Sequence, residues 1–252
     1  MSEKNKMTTK PTVRVAHASD IHLDTDYYGG EINIASRDYC RRIFATLLER
    51  IAADGPDLFL LPGDLFDSNR ASSETIEWAM ERLAALPFPV TMIPGNHDCL
   101  EPDGIFRRYD FSRLPNVDML LSAEGENRDF VALGVTVWGK GMEDHSPEYI
   151  PLEGLAAPQP ARWNLALAHG IYVGQENGGF RSSRVAAGQI ESSGYDYIAL
   201  GHHHALMDVS GNGTTAFYSG APFPLSSDDR GTYLLIDLRQ SERPEVTIRT
   251  TD

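Results

Sequence analysis

Five short apolar runs in this chain end in the same way, on small or ligand-type residues. They are "TVRVAHAS" (12–19) leading into "DIHLD", "DLFLLPGD" (57–64), "VTMIPGN" (90–96) leading into "HD", "NLALAHG" (164–170), and "DYIALGH" (196–202) leading into "HH". Each is rich in aliphatic and β-branched residues and bounded by Gly, Pro or Asp, which predicts a buried strand. Helical patterns separate the first three. Ile43, Phe44, Leu47, Leu48 and Ile51 fall on one helical face, which Gly55-Pro56 ends. "SSETIEWAMERLAAL" (72–86) opens with serine and an early glutamate, the pattern of a capping box, and Pro87 and Pro89 stop it. Open α/β sheets bind ligands in the crevice beyond the carboxyl ends of their strands. Five such ends can therefore meet at one place.

The second half is strand-rich. "DFVALGVTVWG" (129–139) predicts a hairpin turning near Gly134, and "TTAFYSG", "GTYLLIDL" and "PEVTIRT" predict a terminal β-meander. Segments 140–162 and 174–181 are rich in Gly, Pro and polar residues and predict loops. No repeat or composition break divides the chain, so residues 1–11 are expected as a polar tail and 12–252 as one domain of two packed sheets flanked by helices. No apolar run approaches the roughly 18 residues of a membrane helix, and "MSEKNKMTTK" has no apolar core of a signal peptide. Two cysteines, Cys40 and Cys99, make no disulfide framework, so the cytoplasm is the expected compartment, with no membrane partner.

The run "GHHH" carries His202, His203 and His204. On extended backbone His202 and His204 share one side and His203 faces away, and Asp20 and His22 share a side by the same rule. With Asp64, Asn96 and His169 these make seven potential ligands of mixed nitrogen and oxygen type. The mixture suits manganese, iron or zinc better than calcium or magnesium, and the lack of cysteine argues against a structural zinc. Seven donors exceed one site once a water is counted, and one carboxylate can bridge two ions, with Asp64 as the natural bridge. The net charge is −14, from 22 basic and 36 acidic residues. That opposes dedicated binding of long duplex DNA. Two divalent ions against the carboxylates of Asp20 and Asp64 still leave a locally positive site that attracts phosphate.

D-x-H, GD-x-x-D, GNHD, a later H-G and G-H-x-H, in that order over roughly residues 12–204, resemble the calcineurin-like metallophosphoesterase superfamily. "HASDIHL", "GDLFD" and "YSGAPFPLS" most resemble the SbcD-type nucleases of DNA double-strand-break repair within it. The resemblance implies an α/β fold, a four-layer α/β/β/α sandwich of two mixed sheets. It implies one ion on Asp20, His22, Asp64 and His204 and a second on Asp64, Asn96, His169 and His202, with manganese first and iron or zinc as alternatives. It implies that His97 contacts the phosphate and protonates the leaving oxygen, oriented by Asp98, while a metal-bridging hydroxide attacks phosphorus in line. SbcD-type nucleases continue into a DNA-contacting domain and segments that dock an ATPase, whereas this sequence ends at Asp252. The expectation is therefore phosphodiester hydrolysis on a nucleotide or nucleic-acid substrate, with partner proteins open. A phosphomonoesterase is the alternative, although GD-x-V-D-R-G and GNHE are absent, and a non-catalytic scaffold is a third reading.

Other residues have plainer readings. Asp67 is expected to orient a metal-binding histidine, against a helix cap. His17 and His203 read as structural, and His145 in "KGMEDHSPEY" reads as an exposed loop histidine rather than a substrate contact. Arg70, Arg181 and Arg184 are candidates for substrate contact set against solvated surface. Trp78 and Trp163 read as core, and Cys99 as buried rather than reactive.

Overall fold

In the first half the alternation of apolar runs and helical patterns folds as strand, helix, strand. β1 (Thr12–His17) leads to α1 (Ile34–Asp54), β2 (Leu58–Pro62), α2 (Ser73–Ala84), β3 (Val90–Ile93) and β4 (Val117–Met119). The second half supplies β5 (Glu126–Phe130), β6 (Val135–Gly139), β7 (Trp163–His169), β8 (Tyr197–Gly201), β9 (Met207–Asp208), β10 (Thr215–Tyr218), β11 (Thr232–Arg239) and β12 (Glu245–Thr250). The computed structural model describes residues 12–25, 27–28, 31–32, 34–174, 182–224, 230–240 and 242–251. Residues 1–11, Arg181 and most of segment 174–181 lie outside the described residues.

Two six-stranded sheets result, ordered β12-β11-β1-β2-β3-β4 and β9-β10-β8-β7-β6-β5. β1 to β4 are parallel neighbours in the first sheet, and β6, β7, β8 and β10 are parallel neighbours in the second. Antiparallel strands flank them, which makes both sheets mixed. β5 and β6 form the expected hairpin, with Gly134 at φ 67° in the turn, a conformation glycine adopts without a Cβ penalty.

The layers follow from which faces are apolar. Val13, Val15, Leu58 and Leu60 of the first sheet meet Val135, Val137, Leu165 and Leu167 of the second, all fully or almost fully buried. The other face of the first sheet packs on Phe44, Leu47, Leu48 and Ile51 of α1 and on Ile76, Ala79 and Leu83 of α2. The predicted face of α1 is therefore the buried one, with Ile43 at its half-buried edge. On the outer face of the second sheet, Trp138, Ala166, Ile198 and Tyr218 are covered by Leu152 from segment 140–162 and Ile190 from the short helix Ala187–Glu191. The fourth layer is thus mostly irregular chain. No described helix is long and apolar enough to cross a membrane.

Two expectations need correction. The last strands do not form a meander: β10 pairs with β8 in the second sheet, while β11 and β12 join the first beside β1. β11 is apolar on both faces. Tyr233 and Leu235 face the helical layer, and Leu234, Ile236 and Leu238 face the space between sheets, so the strand belongs inside a sheet covered on two sides. The capping box of α2 is also different. Ser72 Oγ accepts from Thr75 N (3.3 Å), but the third helical residue is Thr75 rather than a glutamate. The reciprocal acceptor is Asp24, whose carboxylate takes Ser72 N (2.8 Å) and Thr75 Oγ1 (2.8 Å). Asp24 thereby ties α2 to the loop after β1.

Candidate metal centre

The strands stop just short of the ligand-type residues. β1 ends at His17 and β8 at Gly201, so Asp20, His22, His202 and His204 stand on loops, not on extended backbone. Strand alternation therefore does not explain their convergence. Left-handed backbone does: φ is 57° at Asp20, 50° at His22, 53° at Asp64 and 96° at His202. Such conformations cost on the order of 1–3 kcal/mol each outside glycine and persist where surrounding structure over-determines them. Here the loop after β1 runs along the loop after β2. Ile21 N and His22 N donate to Asp64 O (2.8 and 3.1 Å), and Leu23 N donates to Leu65 O (2.9 Å). Gly63 and Gly95 permit the close approach, since a Cβ on Gly95 would stand 2.1 Å from Asp64 Oδ1 and one on Gly63 would stand 2.4 Å from His169 Nδ1.

All seven candidate ligands meet in this crevice. Asp64 Oδ2 lies 3.2 Å from His169 Nε2 and 3.9 Å from His22 Nε2, and so stands between two groups. On one side His22 Nε2 faces His204 Nε2 at 3.0 Å, and His204 Nε2 lies 3.8 Å from Asp20 Oδ1. On the other, Asn96 Oδ1 lies 2.9 Å from His169 Nε2 and 2.7 Å from His202 Nδ1. Asp20 is held by Ser19 Oγ (2.5 Å) and by His202 N (3.0 Å), which both donate to it. Phe223, nearly buried, sets its ring 6.5 and 6.3 Å from the rings of His22 and His204.

Hydrogen bonding fixes which ring nitrogens can act as ligands. His169 Nδ1 donates to the carbonyl of Pro62 (2.8 Å), and His22 Nδ1 donates to the Asp67 carboxylate (3.1 Å). In the neutral rings both Nε2 atoms are therefore lone-pair acceptors. His169 Nε2 then confronts a carboxylate oxygen, and His22 Nε2 confronts another imidazole nitrogen. Acceptor against acceptor at 3.0–3.2 Å is repulsive unless a cation lies among them. The buried donor set thus fits divalent ions, one on each side of Asp64.

The charges lean the same way. Burial disfavours the Asp64 carboxylate, but the attraction of His169 outweighs this and holds it well below the ordinary range. Burial likewise opposes charge on His169, and Asp64 beside it wins and raises it. His202 lacks such a partner, so burial lowers it to about 3 and keeps the ring neutral and free to ligate.

His97 is exposed at the mouth of the crevice, its ring 4.6 Å from that of His22. Its Nδ1 donates to the backbone carbonyl of Asp67 (2.7 Å), which leaves Nε2 for the site. The expected pairing with Asp98 is corrected here. The Asp98 carboxylate accepts Gly95 N (2.7 Å) and Phe66 N (3.1 Å), and so clasps the two ligand loops instead of the ring. Burial and the nearby Asp64 charge push Asp98 up to about 6. Asp67 holds the position expected for Asp98, with its carboxylate on His22 and its carbonyl on His97. Sequence gave no sign of the carbonyl, because a backbone acceptor has no letter of its own. Ser19 and Ser219, whose hydroxyls meet at 3.1 Å behind Asp20, carry no distinguishing pattern either.

The remaining candidates are placed as follows. His17 is fully buried with Nδ1 on Tyr197 OH (2.7 Å), and His203 packs its ring on Tyr218 at 5.4 Å. Arg70 is exposed on the loop after Asp67, and Arg184 lies in a short ladder beside Ile171. Trp78 packs against Phe44, and Trp163 lies in the core between the sheets. Cys99 is buried, which raises its thiol to about 11 and keeps it unreactive. His145 is exposed, yet its ring centroid lies 6.0 Å from that of His202.

Comparison with known proteins agrees with this geometry. An "Uncharacterized metallophosphoesterase YhaO" of Bacillus subtilis is 29% identical over 241 residues, 87% of this chain and 56% of that protein. A "DNA double-strand break repair protein Mre11" of Methanopyrus kandleri is 26% identical over 244 residues, 88% of this chain and 52% of that one. The chain thus spans about half the length of these relatives. A "Probable cyclic nucleotide phosphodiesterase" of Pseudoalteromonas is 30% identical over 86 residues, 34% of this chain and 31% of the other. One solved structure shares the fold with a TM-score of 0.64 at 14% identity, covering 96% of this chain and 100% of that one. Residues 13–206 match the calcineurin-like phosphoesterase family, a stretch that holds every candidate ligand, and the chain belongs to that family.

Proposed function

We propose that this chain is a two-metal phosphodiesterase. One divalent ion is held by Asp20, His22, Asp64 and His204, and the second by Asp64, Asn96, His169 and His202, with manganese ahead of iron or zinc. The observation that carries the reading is Asp64 Oδ2 standing between His169 Nε2 and His22 Nε2, with lone pairs facing lone pairs on both sides. When bound, such ions supply an activated water near neutral pH and neutralise charge on the phosphoryl oxygens.

The chain's own residues set the geometry and move the proton. His97 N donates to Asp64 Oδ1 (2.9 Å), which fixes the loop of the proton donor to the shared carboxylate. The Asp67 carbonyl holds the His97 ring through Nδ1, so Nε2 carries the proton given to the departing oxygen. The Asp67 carboxylate holds His22 with Nε2 turned inward.

The diester preference rests on the printed names of relatives: a double-strand-break repair protein and a cyclic nucleotide phosphodiesterase are both concerned with phosphodiesters. A nucleotide or single-stranded nucleic acid fits the net charge of −14 better than a long duplex does. The reading treats residues 12–252 as one catalytic domain. Two free, buried cysteines favour a cytoplasmic setting.

The test compares bis(p-nitrophenyl) phosphate with p-nitrophenyl phosphate in Mn. Faster diester turnover is expected. Faster monoester turnover would favour a monoesterase, and turnover of neither would favour a scaffold. His97→Ala is expected to cost about 10²–10⁴-fold on a dinucleoside phosphate, whose alkoxide needs a proton to leave. The loss should be much smaller on the nitrophenyl diester, whose leaving group departs without one.

A further inference from the structure

Beside His202 a recess of about 230 Å³ is lined by His145, Ile171, Ser182 and His202. Its walls come from three distant parts of the chain, and each is held in place. Segment 140–162 brings His145 to the rim. Its start is anchored by fully buried Met142, whose carbonyl accepts Leu100 N (2.8 Å). Lys140, itself buried, points Nζ at the carbonyls of Ile150 and Glu153 (3.4 Å each), and Tyr149 OH donates back to Lys140 O (3.3 Å). Ile171 and Ser182 are carried by the short ladder that pairs Ile171 with Arg184, with Ile171 N donating to Ser183 O (2.8 Å). The recess therefore has ordered walls.

Its chemistry differs from that of the metal crevice. Apart from the ligand His202, the lining offers one aliphatic surface, one hydroxyl and one imidazole. None is a carboxylate or a permanent cation, so the recess suits a neutral group better than a second phosphate. The volume is below the roughly 300–1,000 Å³ of sites that enclose a whole small ligand, and so suits one ring-sized part of a larger substrate. Position decides which part. His97, the proton donor, stands beside His22 at one end of the crevice, and the recess adjoins His202 at the other. The leaving oxygen lies on the His97 side, so the group near His202 is the one that stays on phosphorus.

We infer that the recess seats the non-leaving arm of the diester, a neutral ring bearing hydroxyls such as the pentose of a nucleoside, with hydrogen bonds from His145 and Ser182 and an apolar contact with Ile171. This rests on the phosphodiesterase reading and adds a substrate class to it. His145 and Ser182 are binding residues that distinguish a nucleoside from a small alkyl arm, and the retained product is a mononucleotide.

Two measurements test the inference, both on the full chain in Mn. The first compares turnover of the p-nitrophenyl ester of thymidine 5′-phosphate with that of methyl p-nitrophenyl phosphate, which share a leaving group and differ in the retained arm. Wild type should favour the thymidine ester by about 10-fold or more in kcat/KM, the worth of one good hydrogen bond. His145→Ala, and independently Ile171→Trp, which fills the recess, should erase most of that preference while changing methyl-ester turnover less than about 2-fold. The second measures equilibrium binding of thymidine 5′-phosphate and methyl phosphate, where the same variants should remove the same preference. Equal losses on both esters, or an unchanged preference in both variants, would overturn the inference. If neither ester is turned over but the binding preference is present and falls in the variants, the recess stands and the phosphodiesterase reading fails. If the esters are turned over without preference, the reverse holds.

Discussion

At the residue scale, most of the ligand set was legible because aspartate, asparagine and histidine at strand ends announce themselves by type and place. Why they converge was not legible. Alternation along extended backbone would pair Asp20 with His22 and His202 with His204, but each pair lies beyond its strand and turns through left-handed backbone. A sequence records which residues tolerate that conformation, and aspartate and histidine do so better than most. It does not record where the turn falls. The partner of His97 was misplaced for a related reason, since its acceptor is the Asp67 carbonyl and any residue could supply one. This gives Asp67 two separable tasks. Asp67→Asn keeps the carbonyl and weakens the acceptor for His22 Nδ1. Manganese affinity is expected to fall about 10–100-fold, with kcat at saturating manganese close to wild type. A kcat that falls at unchanged manganese affinity would assign the carboxylate to the chemical step instead.

At the element scale, the helices and parallel strands of the first half followed from periodicity, and the three terminal strands did not. β10, β11 and β12 are short apolar segments whose letters fit a meander as well as two sheets. What separates them is that β11 must bury both faces, a property of its neighbours as much as of its own sequence. The reciprocal cap of α2 comes from Asp24, 48 residues before Ser72, and no local pattern could reveal it. The closeness of the strand ends is an element property too, and it depends on small residues. Gly95→Ala would place a Cβ 2.1 Å from Asp64 Oδ1 and 2.5 Å from Asp64 N, so the shared carboxylate must move. Because the shift falls at the strand ends and not in the packed layers, metal affinity should drop at least about 10-fold while the thermal midpoint changes little. Calorimetric metal titration and thermal unfolding of the same sample check this. Intact affinity with a large fall in midpoint would place the cost in the core instead.

At the scale of the whole molecule, the two sheets share a core that admits few polar groups, and His17 is one of them. Burial lowers its pKa from 6.5 to about 3, so between those values the unfolded chain holds a proton that the folded chain refuses. Stability from this group is complete above pH 6.5 and is lost as pH falls towards 3, at about 1.4 kcal/mol per pH unit. His17→Gln removes the titration. The free energy of unfolding of the variant should therefore decline less steeply than that of wild type between pH 6.5 and 5, by about one proton's worth of slope. Parallel slopes would mean that His17 takes up its proton inside the fold. The acidic net charge belongs to this scale as well: with 36 acidic against 22 basic residues, a phosphate-binding site works only if its local charge is inverted.

That inversion depends on ions gathered about Asp64, and counting them tests it most directly. Calorimetric titration of the full chain with Mn should saturate at two ions per chain, and at one or fewer in Asp64→Asn, where the shared carboxylate is neutralised. Saturation at a single ion in wild type, or a stoichiometry unaffected by Asp64→Asn, would contradict the account.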